Sequence, residues 1–360
     1  MKKSSREREW QERPARTIGI DLGDRFSRYC VLNSEGEVIE EGRVRTQEEA
    51  LRQHWEGEPS LRMVMETGTH SPWVSRLLSQ LGHQVIVANA RKVRAITENE
   101  SKSDRRDAEM LARLGYCNPR LVAPIQHRSV ERQRDLNLIR ARDTLVRART
   151  MLINSARGLV KSAGGRLPCC AADVFGKRVS TLLLGDMKEA VGPLVEQVTA
   201  LTGQIRQLDQ QIETLAERYP EIGLLRTAPG VGPVIAAAYV LTLDRVDAVA
   251  QSRSVGAFLG LRPRQSQSGD SDPEHHISKT GNLYLRRLLV QAAHYILGRV
   301  GPDSALRRWG LKLASGGKRA KKRALVAVAR KLAVILHCLW RTGQSYQPFP
   351  TPTTASGSTA

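Results

Sequence analysis

Aromatic residues make up only 4% of the 360 residues, and only four residues are Phe. A protein that grips single strands by stacking bases on aromatic platforms needs more of them. Cysteine is scarce too. There are five (Cys30, Cys117, Cys169, Cys170 and Cys338), an odd number without Cys-x-x-Cys spacing. The vicinal Cys169 and Cys170 make a poor disulfide. This usage excludes a disulfide framework and a structural zinc, and it fits a reducing cytoplasm. Long hydrophobic runs are missing as well. The longest, Val231 to Leu243, is 13 residues and contains Gly and Pro, whereas a membrane span needs about 20. The first residues, MKKSSREREWQERPAR, are basic but carry no apolar stretch, which excludes a secretory signal.

Acids are in deficit: 36 Asp and Glu face 56 Lys and Arg, a net charge of +20. A cytoplasmic chain this basic points first to nucleic acid. The plain alternative is a basic protein that is merely soluble. The hydrophobic share of 41% excludes disorder as the main state. The length allows two to three domains.

The pattern along the chain separates these. Residues 1–15 are charged and aperiodic, a disordered arm. Thr17-Ile-Gly-Ile-Asp-Leu-Gly, Arg28-Tyr-Cys-Val-Leu-Asn and Val38-Ile-Glu-Glu-Gly-Arg-Val read as a three-strand meander, with a turn at Ser34-Glu-Gly-Glu. Helix over 47–55, strand over 62–68, helix over 71–81, strand over 84–88 and helix over 103–114 follow. Together they predict a mixed α/β sheet domain over 16–125. Residues 126–220 read as helical. Val130 to Val160 is Arg- and Leu-rich, and Ser162 to Ala172 interrupts. Leu194, Val198, Leu201, Ile205, Leu208, Ile212, Leu215 and Tyr219 then keep a strict 4,3 spacing, the coiled-coil signature. A helix packed inside its own domain is the other reading. Pro220 ends the run. Residues 221–345 form a mainly helical C-terminal domain, and 346–360 a low-complexity, disordered tail. Pro229-Gly-Val-Gly-Pro resembles a helix-hairpin-helix turn, whose backbone amides can approach a phosphate; a plain tight turn fits equally.

Four carboxylates stand out. Asp21 ends the first strand inside apolar Ile18-Gly-Ile-Asp-Leu. Glu66 ends Met63-Val-Met-Glu. Asp104 and Asp107 are spaced i, i+3 and share a helical face. Singly, each has a modest explanation. Asp104 suits a helix N-cap, Asp107 a first-turn dipole partner, and Glu66 a surface ion pair. A carboxylate on a central strand is nevertheless costly unless it is paired or metal-bound. On an otherwise basic chain, the order strand-Asp, strand-Glu, helix-Asp-x-x-Asp points to two hard cations, Mg²⁺ or Mn²⁺. Two such metals about 4 Å apart suit phosphodiester cleavage.

Ile18-Gly-Ile-Asp21-Leu-Gly, Glu66-Thr-Gly and Ser103-Asp104-Arg-Arg-Asp107-Ala resemble the DEDD tetrad of a RuvC-like, RNase H-type nuclease domain. Phe258-Leu-Gly-Leu-Arg-Pro, Gln267-Ser268-Gly269 and Ile277-Ser-Lys-Thr-Gly-Asn-Leu-Tyr-Leu-Arg286-Arg resemble the transposase domain of the insertion-sequence-110 family, whose relatives include the Piv and MooV invertases. The likeness runs in order over about residues 16–345. Ile-Gly-Ile-Asp alone also fits actin-like ATPases, but no second and third phosphate loops match.

The resemblance implies a transposase or site-specific recombinase. Metals on Asp21, Glu66, Asp104 and Asp107 would assist a C-terminal serine that attacks DNA through a covalent 5′-phosphoserine intermediate. The loop offers Ser266, Ser268, Ser271 and Ser278. Likeness to the family's Ser-Gly motif favours Ser268, whose neighbour Gly269 permits close approach to a phosphate. Ser278 is the alternative nucleophile, unless it caps the helix starting near Gly281. His275 and His276 read as loop residues more readily than as catalysts.

Lys279, Arg286, Arg287, Lys318, Arg319, Lys321, Lys322 and Arg323 are the expected nucleic-acid-binding residues, because no acids balance them. No zinc finger, homeodomain or recognition-helix pattern accompanies them. The resemblance supplies the sequence reader instead: a noncoding bridge RNA that pairs with donor and target DNA. It also implies element ends and a target as DNA partners, a dimer or tetramer, no membrane, and a nucleoid-associated cytoplasmic location. A Holliday-junction-type nuclease using metal-activated water is the alternative. An architectural binder with structural Asp21 and Glu66 is the third reading.

Overall fold

The computed structural model describes residues 15–90, 104–182, 185–268, 273 and 275–350. The expected arm, apart from Ala15, lies outside these residues, as do Ser103, Gly269, Ser271 and the last ten residues of the tail. The chain forms two compact units, residues 1–128 and 129–360.

The first unit is built on a five-stranded sheet. Its strands are β1 (Thr17–Asp21), β2 (Phe26–Leu32), β3 (Val38–Arg45), β4 (Arg62–Glu66) and β5 (Gln84–Ala88), in the order β3-β2-β1-β4-β5. The first three are antiparallel, and β4 and β5 run parallel to β1. The hairpin between β2 and β3 closes on Asn33, whose side-chain oxygen accepts from the Glu35 and Glu37 amides. Gly36 there takes a φ of 84°.

Alternation assigns the two faces of the sheet. Ile18, Ile20, Met63 and Met65 pack with Leu51 and Trp55 of α1 (Glu48–Trp55) and with Val74, Leu77 and Leu78 of α2 (Ser71–Gln80). Val64 and Ile86 face the other way, onto Leu111 and Leu114 of α3 (Asp104–Cys117). Glycine brings α3 close. A Cβ on Gly19 would lie 1.9 Å from the Ala108 carbonyl oxygen, and one on Gly115 would lie 2.2 Å from Val64 Cγ2.

Among the described residues, the long elements of the second unit are all helices. Helices α4 (Val130–Ser162) and α6 (Asp186–Arg218) are 33 residues each and pack side by side. They run antiparallel: Asp135 meets Arg218 and Tyr219, Arg142 meets Asp209, and Arg149 meets Thr202. The 4,3 pattern divides into two seams. Val198, Ile205, Ile212, Leu215 and Tyr219 are buried, whereas Leu194, Leu201 and Leu208 are half-buried. At the far end of the pair, α5 (Phe175–Ser180) wedges Phe175 and Val179 between Ile153, Val160, Val195 and Val198. This short helix follows the Gly/Pro/Cys segment and carries too little periodicity to read from sequence.

Pro220 ends α6 and also opens α7 (Pro220–Leu225), where its missing N–H costs nothing at the first position. Next comes α8 (Pro233–Leu243), whose residues from Ala236 to Leu243 are all buried. The longest apolar run is thus a core helix, with the Tyr239 hydroxyl donating to the Ala333 carbonyl at 2.7 Å. Around it lie α9 (Val255–Phe258), α10 (Leu283–Leu297), α11 (Ala305–Ala314) and α12 (Lys318–Thr342). The end of the described chain is anchored rather than loose. The Tyr346 amide donates to Thr227, the Pro348 carbonyl accepts from Ala305, and Arg308 covers Phe349. Among the described residues no helix is long and apolar enough to cross a membrane.

Candidate active site

Ile20 pairs with Met65 across the parallel β1–β4 ladder. One step further, Asp21 and Glu66 stand level on neighbouring strands, about 5 Å apart by backbone spacing. Both are half-buried at the carboxyl ends of their strands, where open α/β sheets bind ligands. Alternation puts them on the Gly19 and Val64 face, beneath α3. The helix runs against the strand: Thr17 lies near Gly115, and Gly19 lies against Ala108 and Ala112. Two further strand residues advance about 7 Å, and four to five helix residues retreat about as far. That progression carries the start of α3, with Asp104 exposed and Asp107 half-buried, to the Asp21 end of the sheet.

Among the described residues no group of three or more His, Cys, Asp or Glu side chains is arranged to hold a metal ion. The pair formed by Asp21 and Glu66 still suits one chemically. Carboxylate oxygens are hard donors, and Mg²⁺ needs only one or two from protein.

The loops leaving these strands carry residues that the sequence reading passed over. His70 follows Glu66 by four positions and Asp24 follows Asp21 by three. His70 Nε2 lies 3.4 Å from Asp24 Oδ1. Trp73 Nε1 donates to His70 Nδ1 at 3.1 Å. Below them, buried Ser71 donates to the Gly68 carbonyl and accepts from the Gly68 amide. Its single proton is thereby used, so His127 Nε2, 3.0 Å away, is the donor to Ser71. Burial, with repulsion from Arg76 and Arg128, pushes the His127 pKa down to about 4 and keeps the ring neutral. The available signal was position alone, a polar residue just past each carboxylate strand.

In the second unit the serine-bearing segment is pinned at its base. Pro263 pairs with Ile277, the Arg264 amide donates to the His276 carbonyl, and the Ser278 amide donates to Arg262. Ser278 is half-buried there, and its hydroxyl lies 3.0 Å from Thr280 Oγ1. The cap of α10 is Asn282, which accepts from the Leu285 amide, and not Ser278. Ser268 lies further out along the paired arm and is exposed, as are His275 and His276. Gly260, at φ 67°, sits against the Thr280 and Gly281 amides, so the Phe-Leu-Gly and Lys-Thr-Gly motifs interlock.

The expected cations differ in placement. Arg286 is buried, at 7% exposure, and donates to the Leu259 carbonyl at 2.9 Å. It holds the Phe-Leu-Gly turn and presents no surface charge. Arg287 is exposed, pairs with Asp143 and lies over Tyr284. Lys279 is exposed with φ 55°. Lys318, Arg319, Lys321, Lys322 and Arg323 are all exposed on the first turns of α12. The Pro229-Gly-Val-Gly-Pro turn joins α7 to α8 and borders a cavity of about 640 Å³ lined by Arg142, Arg226 and Gln291.

Comparison with known proteins gives the family of the chain. Residues 18–164 match a family described as transposase, named for its DEDD residues and for IS110. Residues 223–309 match the family described as Transposase IS116/IS110/IS902. The chain is 30% identical over 307 residues to the transposase for insertion sequence element IS1328 of Yersinia enterocolitica, covering 81% of this chain and 87% of that one. It is 27% identical over 341 residues to the transposase for IS1111A of Coxiella burnetii, covering 92% and 91%. A probable family 20 transposase of Pseudomonas aeruginosa is 28% identical over 339 residues, with 92% and 98% covered. The two family matches, one after the other along the chain, make it a transposase, an enzyme that processes DNA. Within that class, the chain belongs to the IS110 family.

Proposed function

We propose that this transposase cuts and rejoins DNA through Ser268, assisted by divalent metal held by Asp21, Glu66, Asp104 and Asp107. The observation that carries the reading is the level placement of Asp21 and Glu66 at the ends of two parallel strands. The start of α3 extends over the same face. An antiparallel meander followed by two parallel strands, in the order β3-β2-β1-β4-β5, supports a RuvC-like domain.

The bound cation, Mg²⁺ or Mn²⁺ and two ions in this reading, supplies charge stabilisation at phosphate. The serine does the covalent work. Ser268 Oγ attacks the scissile phosphorus, and the Oγ–P bond forms as the bond to the 3′ oxygen breaks. The hydroxyl proton leaves, and the released 3′ oxygen takes one up. The strand stays joined to Ser268 through its 5′ phosphate, so a second 3′ hydroxyl can reverse the step without ATP. The exposure of Ser268 suits a nucleophile that must reach a duplex.

Lys279, Arg287 and the cations that start α12 bind sugar-phosphate backbone. Helix α12 has no acid in its first turn and no side-chain cap. Five cations at the positive end of a helix oppose its dipole, so they do not serve the helix. Such a surface reads backbone rather than bases, which fits a noncoding bridge RNA as the source of sequence information. The half-buried seam of Leu194, Leu201 and Leu208 is the proposed coiled-coil contact of a dimer or tetramer that joins element ends and target.

A covalent-trapping assay tests the mechanism. The protein is mixed with Mg²⁺, RNA from the element and junction DNA, then denatured. A DNA–protein adduct is expected, and both Ser268→Ala and Asp21→Asn should abolish it. An adduct that survives Ser268→Ala but not Ser278→Ala moves the nucleophile to Ser278. Cleavage without any adduct favours the nuclease that uses metal-activated water.

A further inference from the structure

His70 is held in one protonation pattern. Trp73 can only donate, so His70 Nδ1, which receives that bond at 3.1 Å, carries no proton. The neutral ring then has its proton on Nε2, pointing at Asp24 Oδ1. A ring fixed this way can neither ligate a metal nor accept a proton through Nε2, because that nitrogen is already protonated. It is left as a donor.

The place of that donor gives it a use. The loop after Asp21 is tied to the β2–β3 side of the sheet: the Thr46 hydroxyl donates to the Gly23 carbonyl, and the Thr46 amide to the Arg25 carbonyl. The loop after Glu66 is tied to the opposite side. The Thr67 amide donates to Ala88, and Thr67 Oγ1 accepts from the Ala90 amide. The two loops are thus anchored to opposite edges. The contact between His70 and Asp24 crosses from one loop to the other.

We propose that His70, locked by Trp73 and bonded to Asp24, is a positioning residue that straps the Asp21 loop to the Glu66 loop. It would hold the two carboxylates at the spacing that a divalent cation requires. This rests on the metal-binding reading of Asp21 and Glu66. Supporting partners of this kind set metal affinity by about 10–100-fold in known sites.

Mn²⁺ binding to the full-length protein, followed by the electron paramagnetic resonance signal of free Mn²⁺, tests the strap without any turnover. His70→Ala and Asp24→Ala should each raise the half-saturating Mn²⁺ concentration by about tenfold. Asp24 is 94% exposed, so its replacement leaves the core intact. His70→Gln keeps an N–H donor and should restore binding. In nitrogen-15 spectra of the metal-free protein, His70 should be the Nε2–H tautomer, and Trp73→Phe should release it to a mixture. Unchanged Mn²⁺ binding in either alanine variant, while Asp21→Asn weakens it, overturns the strap and leaves the site reading standing. Unchanged binding in Asp21→Asn overturns the site reading and the strap with it.

Discussion

At the residue scale, the structure divides polar side chains into those that build the site and those that serve the fold. Arg286 and His127 both carry groups found at catalytic centres, yet each is spent on a neighbour. His127 gives a pH prediction. Unfolded, it protonates near 6.5; folded, near 4. Between those values the unfolded chain binds more protons, so stability falls as pH drops through that window and is fully present above it. The melting temperature should therefore decline from pH 7 to pH 5. His127→Gln, which keeps a donor toward Ser71 but does not titrate, should flatten the decline. An equal decline in the variant assigns the acid sensitivity elsewhere. The four proposed metal ligands stand out in the sequence as candidates because Asp21 interrupts an apolar strand and Asp104 and Asp107 share one face. His70 and Asp24 were not. A loop histidine and a loop aspartate are ordinary in sequence, and only the strand register brings them within reach.

At the element scale, the 4,3 repeat of α6 is legible as an apolar stripe, but its partner is not. Helix α4 lacks a clean heptad because Arg and Asp occupy many of its contact positions. Asp135, at 2% exposure, is held by Tyr219 at 2.8 Å and Arg218 at 2.6 Å. A polar lock of that kind sets register while breaking the apolar pattern that sequence reading follows. The two seams should respond differently to charge. Ile205→Asp buries an unpaired carboxylate and should unfold the α4–α6 pair in circular-dichroism melts. Leu201→Asp with Leu208→Asp should leave the melt near wild type and shift sedimentation toward monomer. Retained oligomers in that double variant would refute the contact. The short helix α5 escaped the sequence reading for a related reason. It is stabilised by what it packs against and, at six residues, is too short to show a period of its own.

At the scale of the whole molecule, the charge of +20 is the governing quantity. Many of the arginines are neutralised within the fold, as in Arg142 with Asp209 and Arg218 with Asp135. The start of α12 is where five cations stand together on an exposed surface. The logarithm of the DNA affinity should fall linearly with the logarithm of salt, and replacing Lys321, Lys322 and Arg323 by Ala should reduce that slope by about 0.9 for each phosphate that is no longer neutralised. Fluorescence anisotropy with a duplex at several salt concentrations measures it. An unchanged slope places the phosphate-binding surface on another face.

The amino-acid sequence determined the order of the elements, the alternation of α/β and helical regions, the excess of positive charge and the four acids. These follow from local quantities: hydrophobic period, turn residues and side-chain chemistry. The tertiary structure decided which of these residues meet. It set Asp21 level with Glu66 through the register of β1 and β4. It laid α3 close against the same face of the sheet because Gly19 and Gly115 lack side chains. It buried Arg286 while leaving Ser268 exposed. Register, close approach and burial are relations between segments far apart in the chain, and pairing and packing fix them only when those segments come together.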